Sequence, residues 1–222
     1  MTPSAIASKA VAMGLNIIAV TDHNSAGNVL AVREAGEQLG LTVIGGMEIC
    51  SEEEVHLLAY FDQDKDLLNV ETIIQDNLPG FNNPEAFGDQ VFLNSKDEIL
   101  GVSEKLLFGA STLNIETIVD LVHNNNGMVL ASHVDRESFS IISQLGYIPE
   151  GLHLDGVELV NGIKTIQGEK EFSFQGYPWI SSSDAHYIED VGKRTTKFRI
   201  MEPNVKEIML AFKNMDGRGI IR

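Results

Sequence analysis

An α/β domain with a largely parallel sheet is the fold this chain predicts, and three observations carry it. Short apolar runs alternate with amphipathic stretches of helical period over most of the length. Capping and breaking residues, among them Thr2-Pro3, Ser25, Gly40, Asn114 and Gly146, fall between those runs. The apolar runs also end abruptly in acidic or imidazole side chains, as in "IIAVTDHN" from Ile17 to Asn24. In parallel α/β folds the carboxyl ends of strands converge on one face, so such residues can meet in one pocket. The 222 residues suffice for a single large domain, 1–222, with a sizeable core.

Taken in order, Thr2 as N-cap and Pro3 at the first helical position predict a helix to about Met13, stopped by Gly14. "NIIAV" follows as a buried strand. Ser25 is expected to cap a second helix through Leu39, ended by Gly40, after which "LTVIGG" and "EVHLLAYF" read as strands, the second hairpin-like or neighbouring. From Asp62 to about Ser111 the regularity weakens, and "LPGFNNPEAFGDQ" is rich in Gly, Pro and Asn, so residues 62–111 read as an irregular insertion with short helices. Asn114 caps a helix to His123, "NNNG" turns the chain into the strand "MVLAS", and a short helix spans Glu137 to Leu145. "GVELV" and "YPWISS" supply two more strands. A last helix starts near Pro203, with Val205, Ile208, Met209 and Phe212 on one stripe.

Composition narrows the function. Hydrophobic residues make 43% of the chain and charged residues 22%, and no run approaches the roughly 18 apolar residues of a membrane span. The first residues lack the apolar core of a secretory signal, and the single Cys50 has no internal partner for a disulfide, so a reducing cytoplasm is expected. Sixteen Lys and Arg stand against 32 Asp and Glu, a net charge of −16. That balance works against tight binding of long nucleic acid, whose affinity rests on neutralised phosphates.

The candidate chemistry lies at the strand ends. "IIAV" runs into Asp22 and His23, "TVIGG" into Glu48, "VLAS" into His133, "WISSS" into Asp184 and His186, and His56 lies within "EVHLLAYF". Neutral imidazoles and carboxylates are ligands for zinc, manganese and iron. The Asp-x-His spacing of "SDAH" can present both side chains to one ion. His123 at a helix end and His153 in "PEGLHLDG" read as structural or solvent-facing, and Cys50 as a small buried hydrophobe. Lys193 and Arg194 read as a solvated basic pair.

Together "TDHNS", "GGMEICSEEEVHLLAYF", "ASHVDR" and "SSSDAH", in that order, resemble the PHP domain, named for polymerase and histidinol phosphatase. The resemblance implies a distorted β/α barrel of about seven strands that binds up to three zinc, manganese or iron ions and hydrolyses phosphoesters. Carried over by position, His23, Glu48, His56, His133, Asp184 and His186 match metal ligands, with Glu48 as the bridging carboxylate and Asp22 as a partner in its motif. Arg136 matches an arginine that clamps phosphate in small-substrate relatives, which usually carry proline where this chain has Val134. Such domains also begin with a strand ending in His-x-His, and no histidine precedes His23 here. The expectation is a barrel whose first strand is missing, with about 20 residues lying upstream of Met1, enough for a strand and its loop.

The leading expectation is a metal-dependent phosphoesterase acting on a small phosphorylated metabolite, nucleotide or short oligonucleotide end. The alternatives are a catalytically impaired binding or regulatory module and a metal-dependent amide hydrolase.

Overall fold

The computed structural model describes residues 1–161 and 176–221. In chain order the elements are α1 (Pro3–Ala12), β1 (Ile17–Val20), α2 (Val29–Glu37), β2 (Thr42–Cys50), β3 (His56–Phe61), α3 (Asp64–Asp76), α4 (Pro84–Phe87), β4 (Val91–Leu93), β5 (Ile99–Val102), α5 (Ile115–Asn124), β6 (Met128–Ala131), α6 (Ile141–Leu145), β7 (Gly156–Leu159), β8 (Trp179–Ser181), β9 (Lys197–Arg199), α7 (Val205–Phe212) and β10 (Gly219–Ile221). Six strands make one curled sheet in the order β1-β2-β3-β6-β7-β8. Two hairpins, β4-β5 and β9-β10, stand apart from it.

The sheet is mixed, which corrects the largely parallel expectation. β1-β2, β6-β7 and β7-β8 are parallel, but β3 runs antiparallel to both β2 and β6. The physical reason is the link between β2 and β3: residues 51–55 are too few for a crossover, so the chain must turn back as a hairpin. Gly46 permits the close approach of that pair, because a Cβ there would lie 2.4 Å from the Ala59 carbonyl oxygen.

Alternation along the strands builds two apolar layers. Met47, Ile49, Leu57, Ala59, Val129, Ala131, Val157 and Leu159 pack outward beneath α1, α2, α3 and α5. Ile44, Leu58, Met128 and Leu130 line the concave face, where Val205 and Phe212 of α7 cover them. The same concave face carries Glu48, His56 and Glu158, so one parity of residues supplies both an apolar floor and a polar end. The central strands β6 and β7 are buried throughout, whereas Ala19 of β1 is exposed and β8 is only half-buried. Among the described residues β1 and β8 each pair on one side only. A cleft of about 1260 Å³ runs along the concave face and is lined from both edges, by Ile17 and Ala19 and by Ile180 and Ser181.

Local signals held in part. Asn114 caps α5 by accepting from the Thr117 amide at 2.9 Å, and Gly146 ends α6 in the left-handed region at φ 80°. Thr2 occupies the N-cap of α1, but its hydroxyl bonds Asp97 at 2.8 Å instead of the helix. Ser25 does not cap α2, which begins after Asn28; its hydroxyl donates to Glu71 at 2.9 Å and accepts from the Gly27 amide. The helix expected from Glu137 starts only at Ile141, where Ser140 and Ser143 close a capping box. Within residues 62–111 the first part is regular. α3 buries Leu67, Val70 and Ile74 against the core, an i, i+3, i+7 stripe that the surrounding Asp, Asn and Gln residues obscure in sequence.

Candidate metal centre

Glu48 is the hub. It sits on the concave face of β2 and is 5% exposed, so its charge must be met by neighbours. His23 Nδ1 lies 3.2 Å and His56 Nδ1 3.4 Å from its Oε2, while His133 Nε2 lies 3.4 Å from Oε1 and 3.3 Å from His56 Nδ1. Ser132 donates to Oε1 at 2.7 Å. Ligand atoms of His23, Glu48 and His56 all fall within 4.8 Å of one another, the spacing of a shared cation site.

The backbone explains why these four meet. β1 continues past its last paired residue alongside β2, with the Asn24 amide donating to the Glu48 carbonyl at 2.8 Å and the Glu48 amide to the Asp22 carbonyl at 3.1 Å. His23 is thereby bridged to Glu48 across the sheet. His56 opens β3 directly opposite Cys50; its amide donates to the Phe139 carbonyl at 2.9 Å and its ring stacks on Phe139 at 4.8 Å. His133 follows β6. Asn24, His133 and Asp184, at the ends of β1, β6 and β8, all hold left-handed backbone, with φ of 47°, 28° and 45°. Such conformations cost about 1–3 kcal/mol each unless the surroundings impose them, and they cluster at functional sites. At Asn24 the side chain does so, donating to the carbonyls of Leu107 and Gly109 and accepting from the Cys50 amide.

Electrostatics divides the imidazoles. Burial opposes charge on Glu48, but hydrogen bonds from His133 and His56 and the surrounding imidazoles outweigh it and hold its carboxyl well below the ordinary value. Burial lowers His23 against the pull of Glu48 and favours its neutral, ligating form. For His133 burial is overcome by the hydrogen bond and charge of Glu48, and its pKa is raised. His23 Nδ1 is buried without a hydrogen-bond partner although Glu48 Oε2 stands 3.2 Å away, and His133 Nδ1 is orphaned too. The His23 nitrogen is within reach of the carboxylate but not aligned to it.

The remaining expected residues form an open mouth beside this group. Asp184 is ion-paired with Arg136, and His186 Nδ1 lies 3.5 Å from Asp184 Oδ1. The His186 ring sits 6.1 Å from that of His23, so the mouth adjoins the buried cluster without bonding to it. Arg136 follows a turn in which its amide donates to the His133 carbonyl at 2.8 Å, with Val134 buried. Asp22 is exposed and accepts from Asn28 at 2.9 Å. His123 bonds Asp155 at 3.0 Å, His153 is exposed, Lys193 pairs with Asp190 at 2.6 Å, and burial pushes the Cys50 thiol up to about 12. None of these four enters the cluster.

Sequence reasoning missed Glu158. It is 4% exposed within β7 and accepts from Ser132, from the His133 amide and from Ser182. The signal was present: "GVELV" sets one carboxylate on the opposite pleat from Val157 and Leu159 in an otherwise apolar strand.

The chain as a whole belongs to the PHP domain family: residues 1–147 match its family model, and residues 173–216 match that of the PHP-associated region. Solved structures share the fold at low identity. The lesion-specific endonuclease of Pyrococcus furiosus superposes with a TM-score of 0.69 at 18% identity over 99% of this chain, which spans about half (53%) of that protein. A protein described as a metal-dependent phosphoesterase from Bifidobacterium adolescentis gives 0.60 at 15% identity, covering 94% of this chain and 90% of its own. An amidohydrolase from Chromobacterium violaceum gives 0.59 at 15% identity, covering 100% and 93%. Among curated protein sequences none matches. No helix among the described residues is long and apolar enough to cross a membrane.

Proposed function

We propose that this chain is a metal-dependent phosphoesterase that hydrolyses a small phosphorylated metabolite, a nucleotide or a short oligonucleotide end. The observation that carries this reading is His23 Nδ1, buried, unbonded and 3.2 Å from Glu48 Oε2 beside His56. Lone pairs left unaligned in a buried group of imidazoles and one carboxylate fit a divalent cation of the zinc, manganese or iron class. When bound, such ions polarise a phosphoryl oxygen and activate water near neutral pH.

The chain's own residues divide the work. Glu48 offers an oxygen to each side and would bridge; His23, His56 and His133 would ligate as neutral imidazoles; Asp184 and His186 would complete the outer positions. Arg136, already against Asp184 at the mouth, would hold a phosphate in two-pronged fashion. Asp22, held by Asn28 next to His23, would act on the water or substrate at that side of the site. The net charge of −16 favours a small substrate over a long polyanion. An Endonuclease Q complex in the same fold group contains a 27-mer duplex with an abasic lesion, so an abasic oligonucleotide belongs among the substrates to try. The amidohydrolase likeness supports a second reading as an amide hydrolase, against which Arg136 weighs.

The test combines metal analysis of protein purified without chelator with a panel of aryl phosphate, nucleoside phosphates, abasic oligonucleotide and acyl amides. Stoichiometric transition metal and metal-dependent phosphoester turnover are expected. Glu48→Gln should lower that turnover by at least about a hundredfold, since the metal supplies several kcal/mol of charge stabilisation. Turnover of amides alone, or turnover indifferent to Glu48→Gln, would overturn the reading.

A further inference from the structure

Glu158 occupies a place that the reading above leaves without a role. It is a buried carboxylate on β7, and the ends of both neighbouring strands, β6 and β8, converge on it. From β6, the His133 amide donates to Oε2 at 3.1 Å and the Ser132 hydroxyl lies 3.2 Å from the same oxygen. From β8, Ser182 donates to Oε1. Ser132 also donates to Glu48 at 2.7 Å, so its single hydroxyl stands between the two carboxylates.

What these bonds hold is specific. His133 has φ 28°, a backbone shape that a β-carbon resists, and its amide is tied to Glu158 while Val134 N is tied to the Glu158 carbonyl at 2.9 Å. Ser182 precedes Asp184, another left-handed residue at φ 45°, by two positions just past β8, which among the described residues pairs on one side only. The end of β8 is also held by the Ser181 hydroxyl on the Leu159 carbonyl at 2.9 Å and by Ser183 against Arg194, but Ser182 is what joins it to the same carboxylate that holds the His133 amide.

We infer that Glu158 is a positioning residue that joins the two halves of the metal site, fixing His133 through its backbone amide and Asp184 and His186 through Ser182. The role rests on the metal-site reading of His133, Asp184 and His186, and it predicts that Glu158 couples the residues past β8 to the buried cluster alongside the Arg136–Asp184 ion pair. Outer partners of this kind are worth about 10–100-fold in metal affinity.

The experiment is cobalt(II) binding to the 222-residue chain, read by competition with a chromophoric chelator and by the visible ligand-field spectrum. Glu158→Gln can still accept from His133 N and Ser132 with its carbonyl while its amide donates to the Ser182 hydroxyl, so its affinity should stay within about threefold of the unaltered chain. Glu158→Ala should weaken binding by about 10–100-fold and shift the spectrum, with the far-ultraviolet circular dichroism unchanged. Ser182→Ala, which removes only the tie to β8 and decides the matter if Glu158→Ala does not fold, should weaken binding by about fivefold, half a bond's share on the same logarithmic scale. Unaltered cobalt affinity and spectrum in Glu158→Ala or in Ser182→Ala would overturn the role, as would a Glu158→Gln variant no better than alanine. If the unaltered chain itself binds no cobalt, it is the metal-site reading that falls.

Discussion

The site has two halves built on different principles. Glu48, His56, His133 and Glu158 stand on β2, β3 and β7 and just past β6, strands paired on both sides and buried along their length. Asp22, His23, Asp184 and His186 stand past β1 and β8, the two strands paired on one side, with Arg136 at the same mouth. In the first half the two carboxylates and the His133 amide are oriented by neighbours they cannot leave, because burial makes a broken hydrogen bond costly. In the second half side chains are more exposed: Arg136 and Asp184 are partners of one another, Asp22 is held by Asn28, and His23 reaches back to Glu48 of the first half. The contrast teaches that sheet pairing sets how firmly a ligand is held: the central strands preorganise a hub, and the edges supply groups that can adjust to a substrate.

The comparison can be broken most directly at the apolar floor beneath both halves. Leu130 of β6 is fully buried and Ile180 of β8 is only half so, though both belong to the concave-face cluster. Leu130→Ala should cost about 2–5 kcal/mol in denaturant unfolding, and Ile180→Ala about 1 kcal/mol, because a partly exposed site loses less transfer energy and leaves a smaller cavity. Equal costs would mean that the edge is as closed as the centre.

At the mouth the effect should be smaller and should fall on substrate. Arg136→Ala removes one phosphate clamp and releases Asp184, so kcat/KM for a phosphoester should drop about tenfold, equivalent to about 1.4 kcal/mol, mostly through KM. A loss confined to kcat would place Arg136 with the buried half. Steady-state kinetics on the aryl phosphate separates the two outcomes.

The weakest expected effect lies away from both halves and serves as their control. His123 at the end of α5 bonds Asp155, and that bond raises its pKa above the ordinary imidazole value of 6.5. A histidine raised on folding contributes stability that is fully present below pH 6.5 and lost as pH climbs through the folded value. His123→Gln should therefore flatten a small decline in melting temperature above neutrality while leaving metal content unchanged.

Much of the candidate ligand set was legible because its members follow apolar runs in the chain. His23 after "IIAV", His133 after "VLAS" and Asp184 and His186 after "WISSS" need only the rule that strand ends meet. Glu158 was hidden by the opposite circumstance. It lies inside its strand and has no neighbouring polar residue to draw attention, and its meaning comes from Ser132 and Ser182 on other strands. α3 was hidden by composition, since its apolar stripe is thin among polar residues, and only the core beneath reveals Leu67, Val70 and Ile74 as one face. Ser25 misled because a hydroxyl ahead of a helical run caps only if its backbone turns in time, and here Glu71 takes it instead.

The chain by itself determined the class of fold, the six segments that form the main sheet and most of the candidate ligands, because apolar period, turn chemistry and strand-end residues are local properties. Only the tertiary structure decided the direction of β3, the division of the site into a buried hub and an open mouth, and the place of Glu158. Those depend on which strands become neighbours, and a residue's burial and hydrogen-bond partners exist only once that choice has been made.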